Sequence, residues 1–149
     1  MTVCVDAGFL IGLYQESDPY HQKAKEHFVT YFDSGFNRFL IPWPVLYESV
    51  RTRMVNRRQW VAALAADWNR LRTRGQLHLI DDQPYRDVAI EDCLGEPSRA
   101  GGRYRSLSLT DRVIRHMLAD VDLRIDAFIT FNPNDFRDVC SQYRKTLVS

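Results

Sequence analysis

The chain has 149 residues, 45% of them hydrophobic, and a formal net charge of +1. That length and apolar content suit one domain, residues 1–149, with a sizeable core, and exclude a disordered chain. The near-neutral balance excludes a grossly basic nucleic-acid binder, and three scattered cysteines form neither a Cys-x-x-Cys pair nor a disulfide framework.

Thr2 to Val5 reads as a buried strand, ended by Asp6 and followed at once by an apolar helix from Ala7 to Tyr14. Ser17-Asp18-Pro19 reads as a helix start, with Asp18 as cap and Pro19 at the first helical position; the helix runs to about Phe32 and stops at Ser34-Gly35. Phe39-Leu40-Ile41 is a short strand closed by Pro42. Pro44 opens a helix through about Met54, and a second helix runs from Gln59 to about Arg72, stopped near Gly75. Leu77 to Ile80 is a strand, Tyr85 to Leu94 a helix, and Glu96 to Arg105 a polar loop containing Gly101-Gly102. Leu109 to about Asp120 is helical, Ala127 to Thr130 a strand, and the tail adds a short helix and a last strand at Thr146-Leu147-Val148. Strands separated by helices imply an α/β fold: a three-layer α/β/α sandwich around a mostly parallel sheet of four to five strands. Ligands in such sheets bind outside the carboxyl ends of the strands. Asp6 and Thr130-Phe131-Asn132 both fall at such ends.

Asp6 is the most informative residue. An ionised, unpaired carboxylate at the end of a buried strand costs several kcal/mol, so a partner, a cation or a cleft must accompany it. Other oxygen-bearing positions follow downstream. Glu48 lies one turn into its helix, where the dipole favours an acid whatever its use. Asp111 forms Ser108-x-x-Asp111, a capping box, yet its spacing to Ile114 and Leu118 places it on the apolar stripe, which a cap alone does not require. Asn132 precedes Pro133 as a turn opener, and Asp135 is placed to cap the short helix that follows. Each has an ordinary structural reading. Together they form an all-oxygen set suited to Mg2+ or Mn2+, the ions that serve phosphodiester hydrolysis.

Of the 20 basic residues, 17 are Arg, whose planar fork matches phosphate. Arg51, Arg53, Arg57 and Arg58 follow Glu48; Arg70, Arg72 and Arg74 end the next helix; Arg99, Arg103 and Arg105 precede Asp111. Solvated helix faces account for them as readily as RNA contact, for which Arg51, Arg99, Arg103 and Arg105 are the candidates; Tyr104 is placed to stack a base. The apolar residues from Trp43 to Trp68 are mostly core, with a groove for a partner helix or a dimer contact among the alternatives. No run is long or apolar enough to span a membrane, the first residues lack the basic region of a signal peptide, and a cytoplasmic protein is expected. No Gly-x-x-x-x-Gly-Lys run provides for a nucleotide cofactor.

At these residues the chain resembles the PIN-domain ribonucleases, especially the VapC-like toxins of bacterial type II toxin–antitoxin systems. The resemblance covers nearly the whole chain, in order. Val3-Cys4-Val5-Asp6-Ala7-Gly8-Phe9-Leu10 looks like the opening strand with its first acid, and Pro44-Val45-Leu46-Tyr47-Glu48 like the second-acid helix. Ser108-Leu109-Thr110-Asp111 looks like the third-acid helix, and Ile129-Thr130-Phe131-Asn132-Pro133-Asn134-Asp135-Phe136 like the final strand and its acidic turn. The resemblance implies a PIN-like fold, Mg2+- or Mn2+-dependent endoribonuclease activity, a homodimer and a small antitoxin that blocks the site. Asp6, Asp111 and Glu48 would hold the metal, Thr130 and Asn132 would hold outer waters, and Asp135 is the alternative ligand. One position departs: Asn132 stands where the family often has Asp, and Asn coordinates more weakly. That departure opens the competing reading of a degenerate PIN-like module that binds RNA or protein without cleaving. A phosphatase on a doubly wound sheet is disfavoured, since Gly8 stands where that class carries a second acid.

Overall fold

The computed structural model describes residues 1–99, with Arg99 as backbone only, and 104–149. Arg103, Gly101-Gly102 and the Arg99 side chain lie outside the described residues. The elements run β1 (Thr2–Val5), α1 (Ala7–Tyr14), α2 (His21–Phe32), β2 (Arg38–Pro42), α3 (Trp43–Ser49), α4 (Thr52–Val55) and α5 (Arg58–Thr73). Then come β3 (Leu77–Ile80), α6 (Gln83–Arg99), α7 (Leu109–Ala119), β4 (Ala127–Ile129), a 3-10 turn (Pro133–Asp135), α8 (Arg137–Gln142) and β5 (Thr146–Val148).

The sheet order is β3-β2-β1-β4-β5, and its pairings are parallel. Parallel neighbours need crossover helices, and right-handed crossovers decide which face each helix covers. From β1 the chain steps outward through β2 to β3, which puts α1 to α5 on one face. It then crosses to β4 and steps outward the other way, which puts α6 to α8 on the opposite face. The helix contacts agree: α1 packs on α2, α3 and α5, while α7 packs on α6 and α8. The result is the expected three-layer α/β/α sandwich.

Position in the sheet explains strand composition. Central β1 is covered on both faces, and Val3, Cys4 and Val5 are fully buried. Edge strands β3 and β5 are only partly covered and keep His78 and Thr146. Phe39 on β2 is the hub of the α1–α5 face. It meets Phe9 at 6.2 Å, Phe28 at 6.2 Å and Phe32 at 4.2 Å between ring centroids. Across the sheet Phe128 meets Phe136 edge-on at 4.8 Å.

Several boundaries differ from expectation for local reasons. The Asp18 carboxylate accepts from Tyr20 N at 2.8 Å, so Pro19–Tyr20 form a turn and α2 begins only at His21. The helix expected from Pro44 through Met54 breaks after Ser49. Ser49 Oγ donates back to the Val45 carbonyl at 2.6 Å, Val50 leaves helical geometry, and α4 restarts beyond Arg51. Helix α6 starts earlier and ends later than expected, absorbing Glu96 and Pro97 from the supposed loop. Glu96 pairs there with the buried Arg112 of α7, a long-range anchor. Truncating Phe39 to Ala should destabilise the fold by about 3–5 kcal/mol; urea unfolding followed by tryptophan fluorescence measures it.

Candidate functional site

Strand order reverses between β1 and β4, because the chain leaves their carboxyl ends toward opposite sides of the sheet. The main chains part there and leave a crevice. Asp6 closes β1 and Thr130 follows β4. The Asp6 amide still donates to the Ile129 carbonyl at 3.2 Å, so the two ends are held in register.

Asp6 has extended backbone and caps α1. Its Oδ1 accepts from Phe9 N at 2.7 Å, and its Oδ2 accepts from Thr130 Oγ1 at 2.5 Å. Thr130 Oγ1 in turn accepts from Asn132 N at 3.0 Å. A chain of hydrogen bonds therefore runs from the first acid to the turn after β4. Asp6 is 8% exposed and Thr130 fully buried. Burial raises the Asp6 carboxyl from 3.8 to about 6, and the charges of Asp111 and Glu48 add to the rise. The bonds from Thr130 and Phe9 act the other way. The two downstream acids thus lie within electrostatic reach of Asp6 despite their distance in sequence.

Asp111 shows why its two readings are compatible. Ser108 Oγ accepts from Asp111 N at 3.1 Å, and Asp111 Oδ2 takes Ser108 N at 3.2 Å and Ser108 Oγ at 2.8 Å. The capping box is real, and it anchors the carboxylate at the crevice. Glu48 is exposed on α3. The Asn132 side-chain amide donates to Asp135, so these two act as one unit. The expected capping of a helix by Asp135 is not found: α8 starts at Arg137 with Phe136 at its cap position and no side-chain cap, and the Asp135 carboxylate is turned to Asn132.

Among the described residues, no three His, Cys, Asp or Glu side chains converge closely enough to share an ion as they stand. The surroundings of Asp6 nonetheless fit a hard divalent cation. The donors are all oxygen. The buried carboxylate resists carrying its charge alone. Gly8 leaves space above it, since a Cβ there would stand 3.4 and 3.7 Å from the two Asp6 oxygens. A cation bound through few carboxylates and several waters matches this arrangement better than one needing a complete protein cage.

The arginines divide. Arg51 is exposed at the α3–α4 break. Arg105 is committed to the protein: it donates to Asp138 at 3.1 Å and to the Asn134 carbonyl at 3.2 Å. Arg115, not singled out from sequence, grips the same turn, donating to the Asp135 carbonyl at 2.5 Å and to both Asp138 oxygens at 2.8 and 2.7 Å. Its pairing holds the Asp138 carboxyl far below the usual carboxylate range. Its spacing of four from Asp111, one helical turn, was the available signal. Gly12 was missed too. Phe131 stacks on Tyr20 at 4.5 Å, and a Cβ at Gly12 would stand 3.2 Å from the Phe131 ring.

No protein-family model matches the chain. No curated protein matches it in sequence. Among solved structures it is similar to VapC20 of Mycobacterium tuberculosis, a toxin described as cleaving the sarcin–ricin loop. The TM-score is 0.64 over 91% of this chain and 94% of that one, at 19% identity. The likeness shows that the chain shares the overall fold of that protein, in agreement with the α/β/α fold that the resemblance implied.

The Asp6 shift has a thermodynamic consequence. As pH rises past 3.8, unfolded chains lose this proton while folded chains keep it to about 6. Stability is therefore lost across that interval, and the penalty is complete above it. Asp6→Asn should stabilise the metal-free protein above pH 6 by up to about 3 kcal/mol, with no gain below about pH 4. Thermal unfolding across pH checks both limits.

Proposed function

We propose that this chain is an Mg2+- or Mn2+-dependent endoribonuclease, the toxin of a toxin–antitoxin pair. The supporting observation is the buried Asp6 carboxylate at the β1–β4 switch point, its proton affinity raised by burial and by Asp111 and Glu48. The VapC-like fold agrees with it. Asp6 and Asp111 are the principal ligands, with Glu48 completing the set. Held by these residues, a divalent cation would supply charge neutralisation at the attacked phosphate and a more nucleophilic water.

The chain's own groups do the rest. Thr130 fixes the Asp6 rotamer through its 2.5 Å bond, so the acid faces the crevice. Glu48, exposed on α3, orients the attacking water. The Asn132–Asp135 unit holds outer waters, and Arg105 and Arg115 keep that turn in place. The expected products carry a 5′-phosphate and a 3′-hydroxyl. Arg51 remains a candidate for phosphate contact, as do Arg99 and Arg103. The role for Arg105 shifts from holding RNA to positioning the turn.

For the partner, an apolar recess of about 540 Å³ lies between α3 and α5, walled by Trp43, Leu46, Val50, Leu64 and Trp68. Its shape and lining suit an amphipathic helix of a small antitoxin, or the second copy of a homodimer. Among the described residues no helix is long and apolar enough to cross a membrane. A cytoplasmic toxin is the reading we adopt.

One observation favours the competing module that binds without cutting. Asn132 is neutral and tied to Asp135, which weakens the fourth corner. Cleavage of a mixed RNA pool with Mn2+, with EDTA, and by Asp6→Asn decides between them. The nuclease reading expects cleavage only by the native protein with metal, with a loss of at least about a thousandfold in the variant. Metal-dependent cleavage by Asp6→Asn sinks the assignment. Calorimetric titration with Mn2+ gives a second readout: absence of binding up to millimolar metal supports the non-cleaving module.

A further inference from the structure

A second recess, about 350 Å³, opens beside the acidic crevice and is used by nothing described so far. Its size is in the range of small-ligand pockets. Glu48 stands on its rim, and Leu109 and Thr110, the residues just before Asp111, form part of its wall. It therefore shares two borders with the candidate metal centre. Ile90 and Val113 give it apolar lining, and Tyr47, 73% exposed, is part of its wall.

The polar groups are organised too. Asp82 is only 7% exposed and is held by Arg86 in a two-point pair, Nε to Oδ2 at 2.8 Å and Nη2 to Oδ1 at 2.8 Å. The guanidinium keeps that carboxyl ionised, below its usual range. Neither bond uses Arg86 Nη1. Asp87, whose carboxylate oxygens accept, completes the polar side. The recess thus combines apolar lining, an exposed aromatic ring, a cationic donor and carboxylate acceptors.

Resting on the ribonuclease reading above, we propose that this recess receives one unstacked RNA base next to the cleaved phosphate, and that guanine fits it best. An unpaired base in RNA is recognised by stacking on an aromatic ring and by hydrogen bonds to its Watson–Crick edge. Guanine presents an acceptor, O6, beside two donors, N1–H and N2–H. Arg86 supplies the donor for O6, and the carboxylates supply acceptors for the other two. Uracil presents two carbonyl oxygens around one N–H and leaves a carboxylate facing an acceptor. Tyr47 provides the stacking ring, and Asp82 fixes the direction of Arg86.

The test uses the full chain without added metal and the four nucleoside 5′-monophosphates as probes, with ribose 5-phosphate as the control for phosphate binding alone. Methyl NMR shifts of Ile90, Leu109 and Val113 report occupancy. GMP should shift these methyls and bind about tenfold more tightly than UMP, and ribose 5-phosphate should leave them unmoved. Tyr47→Ala should weaken GMP by about tenfold, while Tyr47→Phe, which keeps the ring, should retain it. Arg86→Gln should remove the preference for GMP over UMP. No methyl response to any nucleotide overturns the proposal, as does equal binding of GMP and UMP or an unchanged affinity in Tyr47→Ala. RNA cleavage by the native protein is measured in parallel. Nucleotide binding without cleavage leaves the recess standing and removes the nuclease reading; cleavage without methyl shifts removes the recess alone.

Discussion

The hydrogen bond between Thr130 and Asp6 joins the carboxyl ends of the two strands between which the sheet reverses direction. Much else depends on it. It partly compensates the burial of a carboxylate that has no cationic partner among the described residues. It fixes the side chain that also caps α1 through Phe9 N. Through Asn132 N, it sets the start of the turn carrying Asn132 and Asp135. One hydroxyl thus couples a helix start, a strand end and a polar turn. The compensation is incomplete, and the carboxyl stays raised to about 6. A carboxyl left short of positive charge supports the proposed cation site.

The same economy recurs at α7. Asp111 satisfies the helix start through Ser108 while adding its charge to the crevice. One turn on, Arg115 clamps the Asp135 carbonyl and Asp138, tying α7 to the turn before α8. Arg112, between them, is buried against Glu96 at the end of α6. Removing one partner of such a pair leaves an uncompensated charge. Successive residues of one helix therefore serve the crevice, the inter-helix anchor and the turn. The recess beside Glu48 is bounded by the residues at the start of this helix, so the proposed metal site and the proposed base slot share one support.

How much of this was readable from the chain follows from the range of the forces involved. The strands were legible because a parallel sheet covered on both faces demands continuous apolar runs, and Val3-Cys4-Val5 is one. The oxygen-bearing candidates could be named from the chain only as types and in order. The break after Ser49 was not, since it turns on a hydroxyl bonding its own helix. The late start of α2 likewise depends on a local Asx turn at Asp18. The length of α6 depends on Glu96 finding Arg112, a partner on another helix.

The sequence by itself determined the class of fold and the apolar core, and it put Asp6 and Asn132, two candidates of the oxygen set, where strands end. Those follow from periodicity and from the cost of burying charge, which act residue by residue. Tertiary structure decided the rest. It brought Asp111 and Glu48 within the field of Asp6, drew Arg105 away to Asp138, joined Asn132 to Asp135, and opened a recess beside the acids. These outcomes depend on which strands are neighbours and which face each crossover helix covers, and that is a property of the packed sheet rather than of any short stretch of chain.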